Sequence, residues 1–391
     1  MLERLKSKSG WTPVRFDQIA KQINDRVDNP AEAGVERYVG LEHLDPNSLR
    51  IHRWGEPTDV ESTKLRFQPG DIIFGKRRVY QRKVGVADFE GICSAHAMVL
   101  RAKPGAVLPE FLPFFMQSDL FMERALSISV GSLSPTINWT TLAAEEFLLP
   151  PVQEQARLVE TLVASRNNVE SMIALRQSLE TLKLSLIFDF EERVSLADIT
   201  SFSSVVQRIE AGKSPSSSGE VAGENEFGVL KVSAVGNWSY VETENKVVSE
   251  SDFLRSAEVR VGDFLATRAN ADPDSVGRTC IVEATRAGLM LSDKTWRVIL
   301  KDAASPYSAA VLAWTKSRAF RKHVRNHLNG TDAKNISQSA FLAAPFPPVD
   351  DVFVRLDGQI REVERHKKEA VNRELLATKQ HSRTLGEALT Q

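Results

Sequence analysis

"LLPPVQEQARLVETL", residues 148–162, sets two prolines directly before a run that reads as a strong helix, and a weaker copy, "PFPPVDDVFVRLDGQ", returns at residues 345–359. The offset from Pro150 to Pro347 is 197, about half of the 391 residues, so an internal repeat is the first thing to test. Backward from the proline pairs, "SDLFMERALSISVGSLSPTINWTTL" (118–142) lies against "SRAFRKHVRNHLNGTDAKNISQSAF" (317–341) at a constant offset of 199. Ser118 then matches Ser317, Phe121 matches Phe320, Gly131 matches Gly330, Ile137 matches Ile336 and Leu142 meets Phe341. Further back, "PGDIIF" (69–74) answers "VGDFLA" (261–266) and Val84-Gly85 answers Val276-Gly277, both at an offset of 192. Near the starts, "VRFDQI" (14–19) is similar to "VSLADI" (194–199) at an offset of 180. The offset drifts through insertions while the order of matches holds. The chain therefore reads as a tandem duplication of a mixed unit followed by a helix.

Short β-like runs recur in each unit: Tyr38 to Leu41, Asp71 to Phe74 and Ala97 to Arg101, then Phe227 to Val232, Asp263 to Ala266 and Trp296 to Leu300. A helical stretch follows, Pro109 to Leu126 or Pro306 to Leu328, ended by a glycine loop. Beyond the first proline pair, Val152, Val159, Leu162, Val169, Ile173, Leu175, Leu179, Leu182 and Leu186 advance in steps near 3.5. Val349, Phe353, Leu356, Ile360, Val363, Ala370 and Leu375 do the same in the second copy. Proline lacks the N–H that a first helical turn would leave orphaned, so both pairs suit helix starts. Helices of ~37 residues would be ~55 Å long at 1.5 Å per residue. That exceeds what one domain's core needs, so the two are expected to pair with each other; the alternative is two amphipathic helices that each cap their own domain.

Composition sets the broad class. With 42% hydrophobic and 26% charged residues the chain has the make-up of a soluble globular protein of two or three domains. The start MLERLKSKSGW has no apolar core of a signal peptide, and no stretch approaches ~18 uninterrupted apolar residues, so neither secretion nor a membrane span is expected. Two cysteines, Cys93 and Cys280, fit a reducing cytoplasm, with a disulfide between them as the alternative. A formal charge of −1 neither announces nor excludes a nucleic-acid partner, because local concentration of positive charge decides that.

A twofold repeat of a mixed domain and a long helix, with "PPVQEQ" at the first junction, resembles the specificity (S) subunits of type I restriction-modification systems over essentially the whole chain. The family's Pro-Pro-x-x-Glu-Gln signature carries over to Pro150, Pro151, Glu154 and Gln155. The second copy keeps Pro347, Pro348 and an acid at Asp351 but has Val352 in place of the glutamine. The resemblance implies an α/β (α+β) fold of two tandem target recognition domains, each followed by a long helix, the helices pairing as an antiparallel coiled coil. It divides the chain into a first recognition domain (1–146), a central helix (147–190), a second recognition domain (191–344) and a C-terminal helix (345–391). It also implies a non-catalytic subunit that reads a bipartite double-stranded DNA target and brings methyltransferase (M) and restriction (R) subunits to it. S-adenosylmethionine, ATP and Mg would then belong to those partners, and no cofactor to this chain.

The residues themselves say little for catalysis. "LPPV" and "FPPV" superficially resemble the Pro-Pro loop of adenine methyltransferases, but that loop needs a polar side chain before the prolines. Leu149 and Phe346 stand there, and neither accepts a hydrogen bond. "GKS" at 212–214 lacks the P-loop glycine five residues earlier, where Gln207 stands, and reads as a polar loop. Cys93 and His96 are too few for a zinc site and belong on or beside a buried strand.

Two surfaces are candidates for DNA. In "GKRRVYQRK" (75–83), Lys76, Arg77, Arg78, Arg82 and Lys83 are unbroken by any acid and interleaved with Tyr80, directly after an expected strand. Such a loop suits phosphates or guanine edges; the alternative is a solvated hairpin tip. Its counterpart, "TRANADPDSVGR", holds Arg268, Asn270 and Arg278. The loop after the in-domain helix is the second candidate: "VGSLSPT" offers Ser132, Ser134 and Thr136, and "NGTDAKN" offers Thr331, Lys334 and Asn335. An ordinary helix-ending turn is the alternative there. Arg318, Arg321, Lys322 and Arg325 fall on one helical face, either a phosphate stripe or a solvent side. Against the DNA reading stands a coiled-coil scaffold whose globular repeats bind protein.

Overall fold

The computed structural model describes residues 10–389 other than 106, 195–197 and 218. The chain falls into two compact units, one built up to Ile173 together with the segment from Asn372, the other from Ala174–Val371.

The first unit is closed by its own ends: Thr12–Arg15 pairs antiparallel with Glu146–Leu149. Between them, the strands Ala20–Ile23, Ala97–Ala102, Ile72–Gly75 and Val84–Val86 form an antiparallel sheet in that order. A second sheet runs Arg26–Val27, Lys64–Phe67, Gly91–Ser94, Tyr38–Val39, its last pair parallel. Helices Phe111–Gln117, Asp119–Ser127 and Trp139–Ala144 follow the last long strand. The strand runs are rich in β-branched and aromatic residues and buried nearly throughout, which is why they read clearly in the sequence.

The second unit repeats the plan. Thr200–Ser201 pairs with Pro345–Phe346, and Val206–Ala211, Thr295–Leu300, Phe264–Thr267 and Thr279–Ile281 make the four-stranded sheet. Its second sheet has three strands, Asn245–Val247, Gly228–Leu230 and Leu289–Met290, and again contains one parallel pair. Helices Ser308–Trp314, Arg318–Asn326 and Gln338–Leu342 complete the set. Even the aromatic centre is copied: Phe16 lies 5.5 Å from Phe121 and 6.0 Å from Phe147, and Phe202 lies 5.3 Å from Phe320 and 5.5 Å from Phe346.

Three expectations change in detail. The expected helical stretches are each two helices, broken at Ser118 and Ser317, whose hydroxyls cap the second helix by accepting from the amides of Phe121 (3.3 Å) and Phe320 (3.2 Å). The repeats also start at a different offset. The amide of Phe16 donates to Glu145 O and that of Phe202 to Ala344 O, so Phe202 takes the place of Phe16 at an offset of 186 rather than 180. The matched "VSLADI" lies partly outside the described residues, at 195–197. Third, the prolines of the second copy stand outside its helix. Asp350 starts that helix, its carboxylate accepting from the amides of Val352 (3.0 Å) and Phe353 (2.9 Å). In the first copy the Pro151 carbonyl accepts from Glu154 and Gln155, both at 2.9 Å.

The central helix is Val152–Arg193, 42 residues, and the C-terminal helix Asp351–Leu389, 39 residues. Within the second unit they run antiparallel: the Phe190 ring is 5.9 Å from Phe353, and Lys183 Nζ is 2.5 Å from Glu364. Lys367 in turn pairs with Glu180. Within the first unit, Leu162 shares a core cluster with Leu385 and Leu389. The apolar seam is less continuous than its spacing suggests, since Leu175, Leu182, Val349 and Leu375 are exposed. No helix among the described residues is long and apolar enough to cross a membrane.

Candidate nucleic-acid interface

In the first unit the two candidate loops adjoin. After the strand Ile72–Gly75, the Lys76 carbonyl accepts from Ile137 N at 3.0 Å, and Arg78 N donates to Pro135 O at 2.7 Å. The Arg78 guanidinium reaches Ser134 Oγ at 3.3 Å. The partner loop is a short hairpin closed by Val130 and Thr136, which exchange two 3.0 Å bonds, with Gly131 at φ +114° in its turn. A side chain there would be forced into the left-handed region, so glycine is required.

The second unit carries the same joint. The Arg268 carbonyl accepts from Ile336 N at 3.0 Å, Ala269–Asn270 pairs with Lys334–Asn335, and Asn329 and Asn335 close a hairpin with two 2.9 Å bonds. Gly330, at φ +97°, matches Gly131. Residues some 60 positions apart in sequence thus form one continuous loop pair in each unit.

The side chains sort into exposed and engaged groups. Arg78, Tyr80 and Ser132 are exposed, whereas Lys76, Arg77, Ser134 and Thr136 are half-buried. Burial pushes the Lys76 ammonium below its ordinary range. Arg77 lies 3.4 Å from His96 Nε2, and burial together with the Arg77 charge holds that imidazole below its usual value. Arg82 and Lys83 are tied into the protein: Arg82 donates to Asn47 Oδ1 (2.9 Å) and Gln117 O (2.5 Å) and pairs with Asp119 (2.8 Å), and Lys83 donates to Leu41 O (2.6 Å).

In the second unit, Arg268 and Thr331 are exposed, and Lys334 Nζ closes onto Gly330 O at 2.7 Å. Asn270 accepts from Asp272 N at 3.0 Å. Arg278 donates to Asp274 O, as does Arg321, while Arg325 pairs with the Asp274 carboxylate at 2.8 Å. The cationic face of the helix Arg318–Asn326 is therefore joined to the loop 270–278. Spacing alone left that face undecided, because its anchor, Asp274, lies some 50 residues away.

Other motifs resolve by packing. A Cβ on Gly212 would sit 1.7 Å from Leu291 O, so the glycine of "GKS" is there for close approach. Cys93 and Cys280 are free and buried, and burial pushes both thiols up to about 12. Among the described residues no three His, Cys, Asp or Glu side chains gather as metal ligands.

One residue of the Pro-Pro-x-x-Glu-Gln signature has a structural role that its position in the sequence did not display. Gln155 is fully buried, accepting from Leu108 N (2.8 Å) and donating to Pro150 O (2.9 Å), so it ties the central helix to the segment that leads into Phe111–Gln117. Asp357 does this in the second unit, accepting from Ala310 N at 2.9 Å. Comparison at a fixed offset lands on Val352 and misses it.

A family model described as the type I restriction modification DNA specificity domain matches residues 9–181. The chain is also similar to the type I restriction enzyme EcoDI specificity subunit of Escherichia coli (31% identity over 177 residues) and to the EcoEI specificity subunit of the same species (35% over 150). These matches cover 42% and 37% of this chain but 37% and 25% of the relatives, so the chain spans about a third or less of each. Among solved structures, a chain from work on complex assembly and conformational transition of the type I R-M system is 19% identical, with a TM-score of 0.57 over 98% of both chains. The type I S subunit from M. genitalium is 12% identical, with a TM-score of 0.54 over 99% of this chain and 98% of that one. The likeness in fold thus extends over nearly the whole chain.

Proposed function

We propose that this chain is the DNA-reading subunit of a type I restriction-modification complex. Each repeat binds one half of a bipartite double-stranded target, and the chain directs methyltransferase and restriction subunits to it without performing catalysis. S-adenosylmethionine, ATP and Mg act on those partners, and the complex works in the cytoplasm. The recognition domains are residues 1–146 and 191–344, with helices over 147–190 and 345–391. The observation that carries the reading is the duplicated joint, in which the Lys76 and Arg268 carbonyls each bind the amide of an isoleucine beyond a polar hairpin. Each joint presents cations, hydroxyls and amides on one surface, the mixture that phosphates and base edges require.

Binding to random duplex DNA at rising salt tests it. Counterion release gives a linear fall of log affinity with log salt, and changing Lys76, Arg77 and Arg78 together to alanine should lower the slope by about 0.9 per lost phosphate contact. Changing Arg78 alone should hardly move thermal stability, because exposed charges contribute little to folding, whereas the half-buried Lys76 and Arg77 add a packing cost that a melt of the triple variant measures. A salt-independent, weak association would favour a protein-binding scaffold instead.

A further inference from the structure

The described residues contain three non-glycine residues at positive φ, and all three surround one turn: Asn47 (+57°), Arg78 (+58°) and Arg82 (+53°). Arg78 and Arg82 flank the single turn Val79–Gln81, and Asn47 N donates to Arg82 O while Arg82 Nε donates to Asn47 Oδ1. Such conformations cost energy and persist only where surrounding bonds over-determine them. Here those bonds include the side chains of Arg82 and Lys83, which face inward onto Gln117, Asp119 and Leu41. Within the turn Val79–Gln81 the frame holds Tyr80 outward, 54% exposed at the tip, beside the exposed Arg78.

The adjoining hairpin does the same with an aliphatic group. Leu133, between Ser132 and Ser134, is 90% exposed, on a loop bonded to the Tyr80 turn through Arg78. The second unit has no such pair. By the equivalences that the shared backbone bonds fix (Lys76 with Arg268, Ile137 with Ile336), Tyr80 corresponds to Asp272 and Leu133 to Asp332. Both are acids, unsuited to apolar contact.

We propose that Tyr80 and Leu133 are specificity-determining residues of the first repeat, forming a rigid apolar contact for the 5-methyl group of a thymine. This rests on the DNA reading above. The neighbouring cations Lys76, Arg77 and Arg78 select a polyanionic partner, and the only apolar group that duplex DNA displays in its major groove is that methyl. Arg82, Lys83 and Asn47 are positioning residues.

The test uses the full-length chain assembled with its methyltransferase subunits, on a duplex carrying the target that the complex methylates. Replacing thymines by uracil in one half-site at a time removes only methyl groups. Substitution in one half-site should weaken wild-type binding about three- to fivefold, the worth of one buried methyl group, and substitution in the other half should not. The Y80A/L133S variant should bind the thymine and uracil duplexes equally while keeping its preference in the second half. Equal wild-type affinity for both duplexes would overturn this inference alone, and would point to a protein contact at these side chains. A wild-type complex that does not distinguish its target from random DNA would overturn the DNA reading and the inference with it.

Discussion

Gln155 shows why a short signature can matter more than its neighbours. Its amide is buried and satisfies both the half-buried Leu108 N–H and the buried Pro150 C=O, so Gln155→Ala removes the partner of both together. The expected cost is about 2 kcal/mol, against a few tenths for Glu154→Ala in the same first turn. Denaturant melts of the two variants check this, and equal costs would show the glutamine to be dispensable. The sequence displayed the glutamine but not its partner, because Leu108 and Gln155 meet only once the chain has folded. His381 is a second case. Burial, then the Arg166 charge, holds its imidazole below the usual value, and its Nδ1 is buried without a hydrogen bond against the Phe114 ring. A histidine depressed in the folded state takes up its proton first in the unfolded state. It therefore contributes stability above pH ~6.5, and that stability is lost as pH falls toward the folded value. Melts of His381→Leu between pH 7.5 and 5.5 should have a flatter pH dependence than wild type; an unchanged slope would assign the dependence elsewhere.

Elements were legible to the degree that their apolar pattern was local. Strands such as Ile72–Gly75 and Thr295–Leu300 stood out because nearly every residue is buried and branched or aromatic. The breaks at Ser118 and Ser317 did not, since apolar residues run through them and only the capping bond marks the turn. The helix seam was legible in outline, but which leucines face inward depends on what packs against them. Lys183 illustrates the point: a charged residue outside the apolar series, it is fully buried, its Nζ 3.7 Å from the Trp238 ring and paired with Glu180 (2.9 Å) and Glu364 (2.5 Å). Lys183→Ala removes both the charge and the stem that covers the indole, and should cost about 3 kcal/mol. Lys183→Met retains the stem and should cost distinctly less, because both glutamates are partly exposed and can rehydrate. If the two variants melt alike, charge rather than packing holds the helices here.

For the molecule as a whole, the duplication was the most legible feature and the functional surface the least. Matches such as Phe121 with Phe320 survive because both rings fill the same core position around Phe16 or Phe202. The proposed reading surfaces have no reason to match, and they differ: the first unit exposes Tyr80 and Leu133, and the second has an arginine group gathered on Asp274. Two copies of one frame with unlike surfaces are suited to two unlike half-sites. The most direct test is the set of adenines methylated in cells carrying the complete system, first with this chain and then with residues 194–344 replaced by the matching unit of a related protein. The account predicts two short specified blocks with a fixed unspecified gap, of which the replacement changes one and leaves the other intact. A single continuous motif, or a replacement that alters both blocks or neither, would contradict it.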